Sequence, residues 1–182
     1  MRMLTTRPKK TVDDYMSLPD EVRCELFDGE FYRCPSPGFG HQKAIGELFI
    51  RLKTFVSGQA LGEVVLSPFD CVFSIHNVAQ PDIVFIASEN LGRIRERLQG
   101  PPELAVEVLS RFHEERDRIV KRDLYAKFGV REFWIVDPEV RTIEVFVGEG
   151  RTFRGAGVFG SEDVLQSPLL PGLDLRVGEV FR

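Results

Sequence analysis

Between His41 and Val56 the chain reads HQKAIGELFIRLKTFV, and Ile45, Leu48, Phe49, Leu52, Phe55 and Val56 recur at helical spacing while Lys43, Glu47, Arg51 and Lys53 turn away. This predicts an amphipathic helix laid on a core. Upstream, TVDDYMSLPDE offers Thr11 as an N-cap with Asp14 three residues on, so a short helix should run to about Ser17, before Pro19. CELFDGEFY sets Asp28-Gly29 between two strand-like runs, the pattern of a tight hairpin. The runs GEVVLS, FDCVFSI, PDIVFIA and ELAVEVLS predict strands, with a charged helix over ENLGRIRERL between the last two. A second amphipathic helix spans roughly Glu114 to Phe128 and ends at Gly129. EFWIVDP and TIEVFV predict two further strands joined by a turn at Asp137-Pro138, and the tail from Arg151 ends in strand-like pieces around PGLDLRVGEVF. This order describes an α/β fold, one layer with a mixed sheet in its middle.

Two residues break the pattern. PDIVFIA is otherwise apolar and reads as a strand covered on both faces, which would bury Asp82. In ELAVEVLS, alternation puts Leu104, Val106 and Val108 on one side and Ala105, Glu107 and Leu109 on the other, so Glu107 is a lone acid in a second buried strand. A single buried acid is more often a structural ion pair than a functional group. Two acids in neighbouring strands reverse that preference, because carboxylate oxygens with a main-chain carbonyl and water form the hard shell that Mg²⁺ or Mn²⁺ takes. Along RDRIVKRDLYAKFG, Asp117, Lys121, Leu124 and Phe128 share one helix face, so the side expected to pack on the sheet begins with an acid and a lysine. An i,i+4 ion pair explains that spacing but not the face. A lysine beside a scissile phosphate would neutralise charge developing on phosphorus.

At 182 residues the chain suits one domain. Apolar residues at 43% and charged residues at 29% fit a globular protein rather than a disordered one. The longest apolar runs are strand-sized and MRMLTTRPKK has no apolar stretch before its basic residues, so neither a spanning helix nor a signal peptide is expected, and a cytoplasmic location is. Cys24, Cys34 and Cys71 form no CxxC pair and give no zinc framework. The net charge of −4 argues against coating nucleic acid by bulk electrostatics. The basic residues from Arg93 to Arg122 leave room for a local groove, although Glu96, Glu114, Glu115 and Asp123 dilute them.

VAQPDIVFI, GPPELAVEVLS, the helix bearing Asp117, Lys121 and Tyr125, and GVREFWIVDP together resemble the Uma-two family, regarded as endonucleases of the PD-(D/E)xK superfamily. CELFDGEFY, SPGFGHQ and SPLLPGLDL extend the resemblance over nearly the whole chain. It implies a restriction-endonuclease-like fold, a central mixed β-sheet flanked by helices. Within that single domain, residues 1–36 would form an N-terminal helix and hairpin extension, 37–148 the nuclease core and 149–182 a strand-rich tail. The resemblance implies that Asp82 and Glu107 are the metal-binding acids, with the carbonyl of Val108 as a third ligand for Mg²⁺ or Mn²⁺. Leu109 departs from the pattern, since it stands where the superfamily has its lysine, and Lys121 is the candidate replacement. Glu25 matches an acid of the hairpin block and would add an outer ligand or position water, against a rival reading as a surface strand residue. His41 would contact phosphate or cap the helix.

Two functions follow. The first is a metal-dependent endonuclease that hydrolyses phosphodiester bonds in nucleic acid, DNA being the expected partner, with a homodimer suited to cutting two strands. The alternative is a non-catalytic nucleic-acid-binding or regulatory module that keeps the fold, motivated by Leu109 and the acidic pI. A structural acid pair without a metal is a third reading.

Overall fold

The computed structural model describes residues 8–19, 21–34, 36–110 and 116–182, without the side chains of 116 and 117. The long amphipathic run forms helix α2 (Phe39–Gly58), which buries Ala44, Ile45, Leu48, Leu52 and Val56. Thr11 caps α1 (Val12–Met16) in a capping box with Asp14, so two N-terminal groups are satisfied reciprocally. The hairpin β1 (Cys24–Phe27) and β2 (Glu30–Arg33) turns through Asp28 and Gly29, with φ of 48° and 82°. Positive φ at both central residues is what a two-residue turn matched to strand twist requires.

The remaining strands are β3 (Gly62–Leu66), β4 (Cys71–Ser74), β5 (Asn77–Ala79), β6 (Ile83–Ala87), β7 (Leu98–Gln99), β8 (Leu104–Val108), β9 (Glu132–Asp137), β10 (Thr142–Glu149) and β11 (Thr152–Phe159). Among the described residues they form two sheets rather than the one expected. The larger is ordered β11-β10-β9-β8-β6-β3, mixed because β8 and β9 run parallel while its other pairs are antiparallel. The smaller is ordered β2-β1-β5-β4-β7, so the hairpin joins strands from the middle of the chain.

The larger sheet is covered on both faces, which is why β6 and β8 are buried throughout. One face packs on α2 and the C-terminal tail through Ile83, Phe85, Leu104, Val106, Trp134 and Val136. The other meets the smaller sheet and α3 (Arg122–Phe128) through Val84, Ile86, Ala105, Phe133 and Ile135. Buried Glu132 fixes the tail by accepting hydrogen bonds from Ser167 Oγ at 2.6 Å and Leu169 N at 2.8 Å, and it also accepts one from Trp134 Nε1 at 2.7 Å.

Three elements differ from the expectation. ENLGRIRERL holds only a 3₁₀ turn over Ser88–Arg93, followed by a bridge from Ile94 to Leu98. Arg93 turns to Glu103 at 2.9 Å and Arg97 to Asp70 at 2.9 Å, so tertiary ion pairs hold this stretch in place of a helix face. The tail expected as strands instead makes turns, one isolated bridge between Val164 and Arg176, and a 3₁₀ turn over Val177–Glu179. The strand of that region is β11, further upstream. The expected helix from Glu114 is described only from Arg116, and its first part is a π-helix, Arg116–Lys121, running into α3.

Candidate active site

The register of the larger sheet brings the two acids together. β6 and β8 pair antiparallel with Ile83 opposite Val106 and Val84 opposite Ala105, so one further step sets Asp82 opposite Glu107. Alternation places Glu107 on the face toward α3, since Ala105 and Leu109 pack there, while Asp82, ahead of β6, reaches His41 of α2. Asp82 lies just before β6 rather than inside it, and its side chain keeps 17% exposure in place of the burial expected. Its Oδ2 accepts the Val108 N–H at 2.8 Å, which ties the two strands at this point.

Glu107 is buried, and both its oxygens are held. Tyr125 Oη donates to Oε1 at 2.5 Å and Lys121 Nζ donates to Oε2 at 2.8 Å. The same Lys121 ammonium pairs with Glu25 Oε1 at 3.1 Å, and that oxygen also accepts the Gln80 N–H at 2.9 Å. Lys121 and Tyr125 stand four residues apart at the junction of the π-helix with α3, so one turn of helix supplies both donors. Burial, then the charges of Glu107 and Glu25, push the Tyr125 phenol well above its usual range, so it stays protonated as a donor. Leu109 packs with Leu124 and Tyr125 in the apolar cluster beside them.

Glu25 is 1% exposed, which corrects the rival reading of it as a surface residue. His41 does not cap α2: the N-cap is Gly38, without a side-chain cap bond. The imidazole turns instead to Asp82, with Nε2 at 3.4 Å from Oδ2. Its Nδ1 is buried without a hydrogen-bond partner among the described residues. The side chain of Asp117, expected on the face with Lys121, lies outside the described residues.

Glu25, His41, Asp82, Glu107, Val108 and Lys121 all border one cavity of about 730 Å³. Asp137 and Glu139 also line it, so its described wall carries five acids against Arg23 and Lys121. An acidic cavity attracts cations and repels phosphate until a cation is present. Within the basic stretch from Arg93 to Arg122, Arg93, Arg97 and Arg118 are paired with Glu103, Asp70 and Glu144, which takes up part of its charge.

The donor chemistry fits a hard divalent ion. Among the described residues the side-chain contacts of Asp82 all run through Oδ2, which leaves Oδ1 for a ligand. Glu107 Oε1 and Oε2 accept from Tyr125 and Lys121, and a carboxylate oxygen has two lone pairs, so a cation here would share oxygens that already accept hydrogen bonds. No group of three His, Cys, Asp or Glu side chains with metal-ligand geometry occurs among the described residues. Mg²⁺ is commonly held by one or two carboxylates and water rather than by a protein cage.

A family model described as "Uma2: Putative restriction endonuclease" matches residues 12–178. The chain belongs to the Uma2 family. No curated protein matches it. The fold is also that of a solved structure, "a putative nuclease belonging to DUF820" from Anabaena variabilis ATCC 29413, with a TM-score of 0.82. The two are 21% identical, and the alignment covers 94% of this chain and 97% of the other. That likeness establishes a restriction-endonuclease-like fold for this Uma2 protein.

Two residues of the site escape a reading of the sequence. Tyr125 enters the sequence reading only as part of the helix that carries the resemblance, with no role of its own, and its spacing from Lys121 is the one signal of a shared target. Gln80 acts through its main-chain N–H, which any residue type could supply. Its side-chain amide meanwhile bonds Asp70 Oδ1 at 2.8 Å and Tyr15 Oη at 3.1 Å, which links α1 to the strand that leads into the site.

Proposed function

We propose that this Uma2 protein is a metal-dependent nuclease that hydrolyses phosphodiester bonds in nucleic acid, with DNA as the expected substrate. The observation that carries the reading is the juxtaposition of Asp82 and Glu107 at one cavity with Lys121 hydrogen-bonded to Glu107. Asp82, Glu107 and the Val108 carbonyl would hold Mg²⁺ or Mn²⁺. Once bound, the ion supplies Lewis-acid polarisation of the phosphoryl group.

The chain's own groups do the rest. Lys121 is fixed from two sides, by Glu107 and Glu25, so its ammonium is preorganised at the cavity wall to offset charge that grows on the phosphoryl oxygens. Glu25 acts as a positioning residue for that lysine. Tyr125 orients the Glu107 carboxylate, and His41 braces Asp82. The non-catalytic alternative rests on Leu109 and the acidic pI, and a lysine bonded to Glu107 from the neighbouring helix weighs against the first of these grounds.

The test is cleavage of labelled single- and double-stranded DNA and RNA in Mn²⁺, Mg²⁺ or EDTA. Cutting by the wild type in metal alone, lost in Glu107→Gln, supports the proposal. Wild type that cuts nothing in either metal, or full activity in Glu107→Gln, rejects it.

A further inference from the structure

Phe39 is the most exposed of the large apolar side chains among the described residues, at 83%. It opens α2 between Gly38 and Gly40, and both glycines border the cavity together with His41. Neither glycine has a positive φ, and a Cβ added at either would meet nothing within 4 Å. Backbone conformation and close packing therefore do not demand them, and their effect is to keep the approach to the ring clear. Lys43 is exposed one turn further along the same helix face, and the first turn of α2 carries no acidic side chain. An open aromatic face with a cation one turn away, between two glycines that line the cavity, is the combination that takes a nucleobase and its phosphate.

A stacking ring needs an open base face, and that face is accessible in a single strand but covered by its neighbours in a duplex. We propose that Phe39 is a stacking platform for an unpaired base next to the scissile phosphate, and that the substrate is single-stranded nucleic acid or an unpaired stretch of a duplex. This deepens the nuclease reading and rests on it.

The test is binding, read by fluorescence anisotropy with labelled DNA and RNA, single-stranded and duplex. Ca²⁺ replaces Mg²⁺, and strand integrity is checked on a gel. The wild type should favour the single strand. Phe39→Ala should weaken that binding by about 5- to 150-fold, the loss of one base-stacking contact, with an unchanged thermal midpoint because the ring is exposed. Phe39→Trp should retain binding, and its emission should be quenched by the single strand, since the sequence has one other tryptophan, buried Trp134. Phe39→Ala or Phe39→Leu binding as tightly as the wild type, or a preference for duplex, would overturn the stacking role while leaving the nuclease reading standing. Wild type that binds no nucleic acid at all would bring both down together.

Discussion

Lys121 Nζ lies 2.8 Å from Glu107 Oε2, so a lysine at the junction of the π-helix with α3 reaches the buried acid of β8. Position 109 is a leucine in the apolar cluster. The ammonium is 4% exposed and stands between two buried carboxylates. Replacing it with an apolar residue removes the charge that both share. Lys121→Met should cost about 3–5 kcal/mol in urea denaturation, the usual penalty for breaking a buried ion pair. A cost within error of zero would place the ammonium outside the energetic centre of the site.

Tyr125→Phe removes a hydroxyl and leaves the ring packed against Phe73 and Phe133. The bond it deletes ends on a carboxylate, so the expected loss is about 1.5–3 kcal/mol. Cleavage should fall as well, because Glu107 loses one of the donors that orient it.

How much of this could be read from the sequence depends on which residues are asked about. Asp82 and Glu107 stood out because strands buried on both faces tolerate few acids, and the alternation that put Glu107 on the α3 side also fixed its neighbours. The hairpin was legible because Asp28-Gly29 demands one turn geometry. The second sheet was hidden, since a strand run states its own period but not its partner. β11 was hidden too: TFRGAGVF carries Gly155 and Gly157 and is mostly exposed, so it lacks the β-branched alternation that marks a strand. Helical spacing placed Lys121 on the sheet-packing face, but its bonds to Glu107 and Glu25 were hidden, because they join it to two separate strands.

Glu132 should make the stability of the protein pH-dependent. Burial raises its pKa above the ordinary glutamate value of 4.5, against the lowering effect of its bonds from Ser167, Trp134 and Leu169. A raised carboxyl pKa means that the folded state binds the proton more tightly than the unfolded one. Its contribution is therefore fully present below about the ordinary value and is lost as pH rises through the folded one. Melting temperatures across acidic to neutral pH should show the wild type losing ground to Glu132→Gln as pH rises. A constant difference between the two would contradict this.

Gly62 starts β3 at φ 149°, and a Cβ there would stand 2.0 Å from the Ile86 carbonyl oxygen of the neighbouring strand. Gly62→Ala must move one strand or the other. The expected loss exceeds the roughly 1–3 kcal/mol of backbone strain alone, and equilibrium unfolding would measure it.

The most direct test of the central claim, that Asp82 and Glu107 face one cavity to hold a divalent cation, is Mn²⁺ titration by calorimetry. The wild type is compared with Asp82→Ala, each with and without a short non-cleavable oligonucleotide. Mn²⁺ should bind the wild type and fail to bind the variant, with both proteins folded. Equal binding in both, or none to the wild type in either condition, would make Asp82 a structural acid and rule out a metal held by this pair.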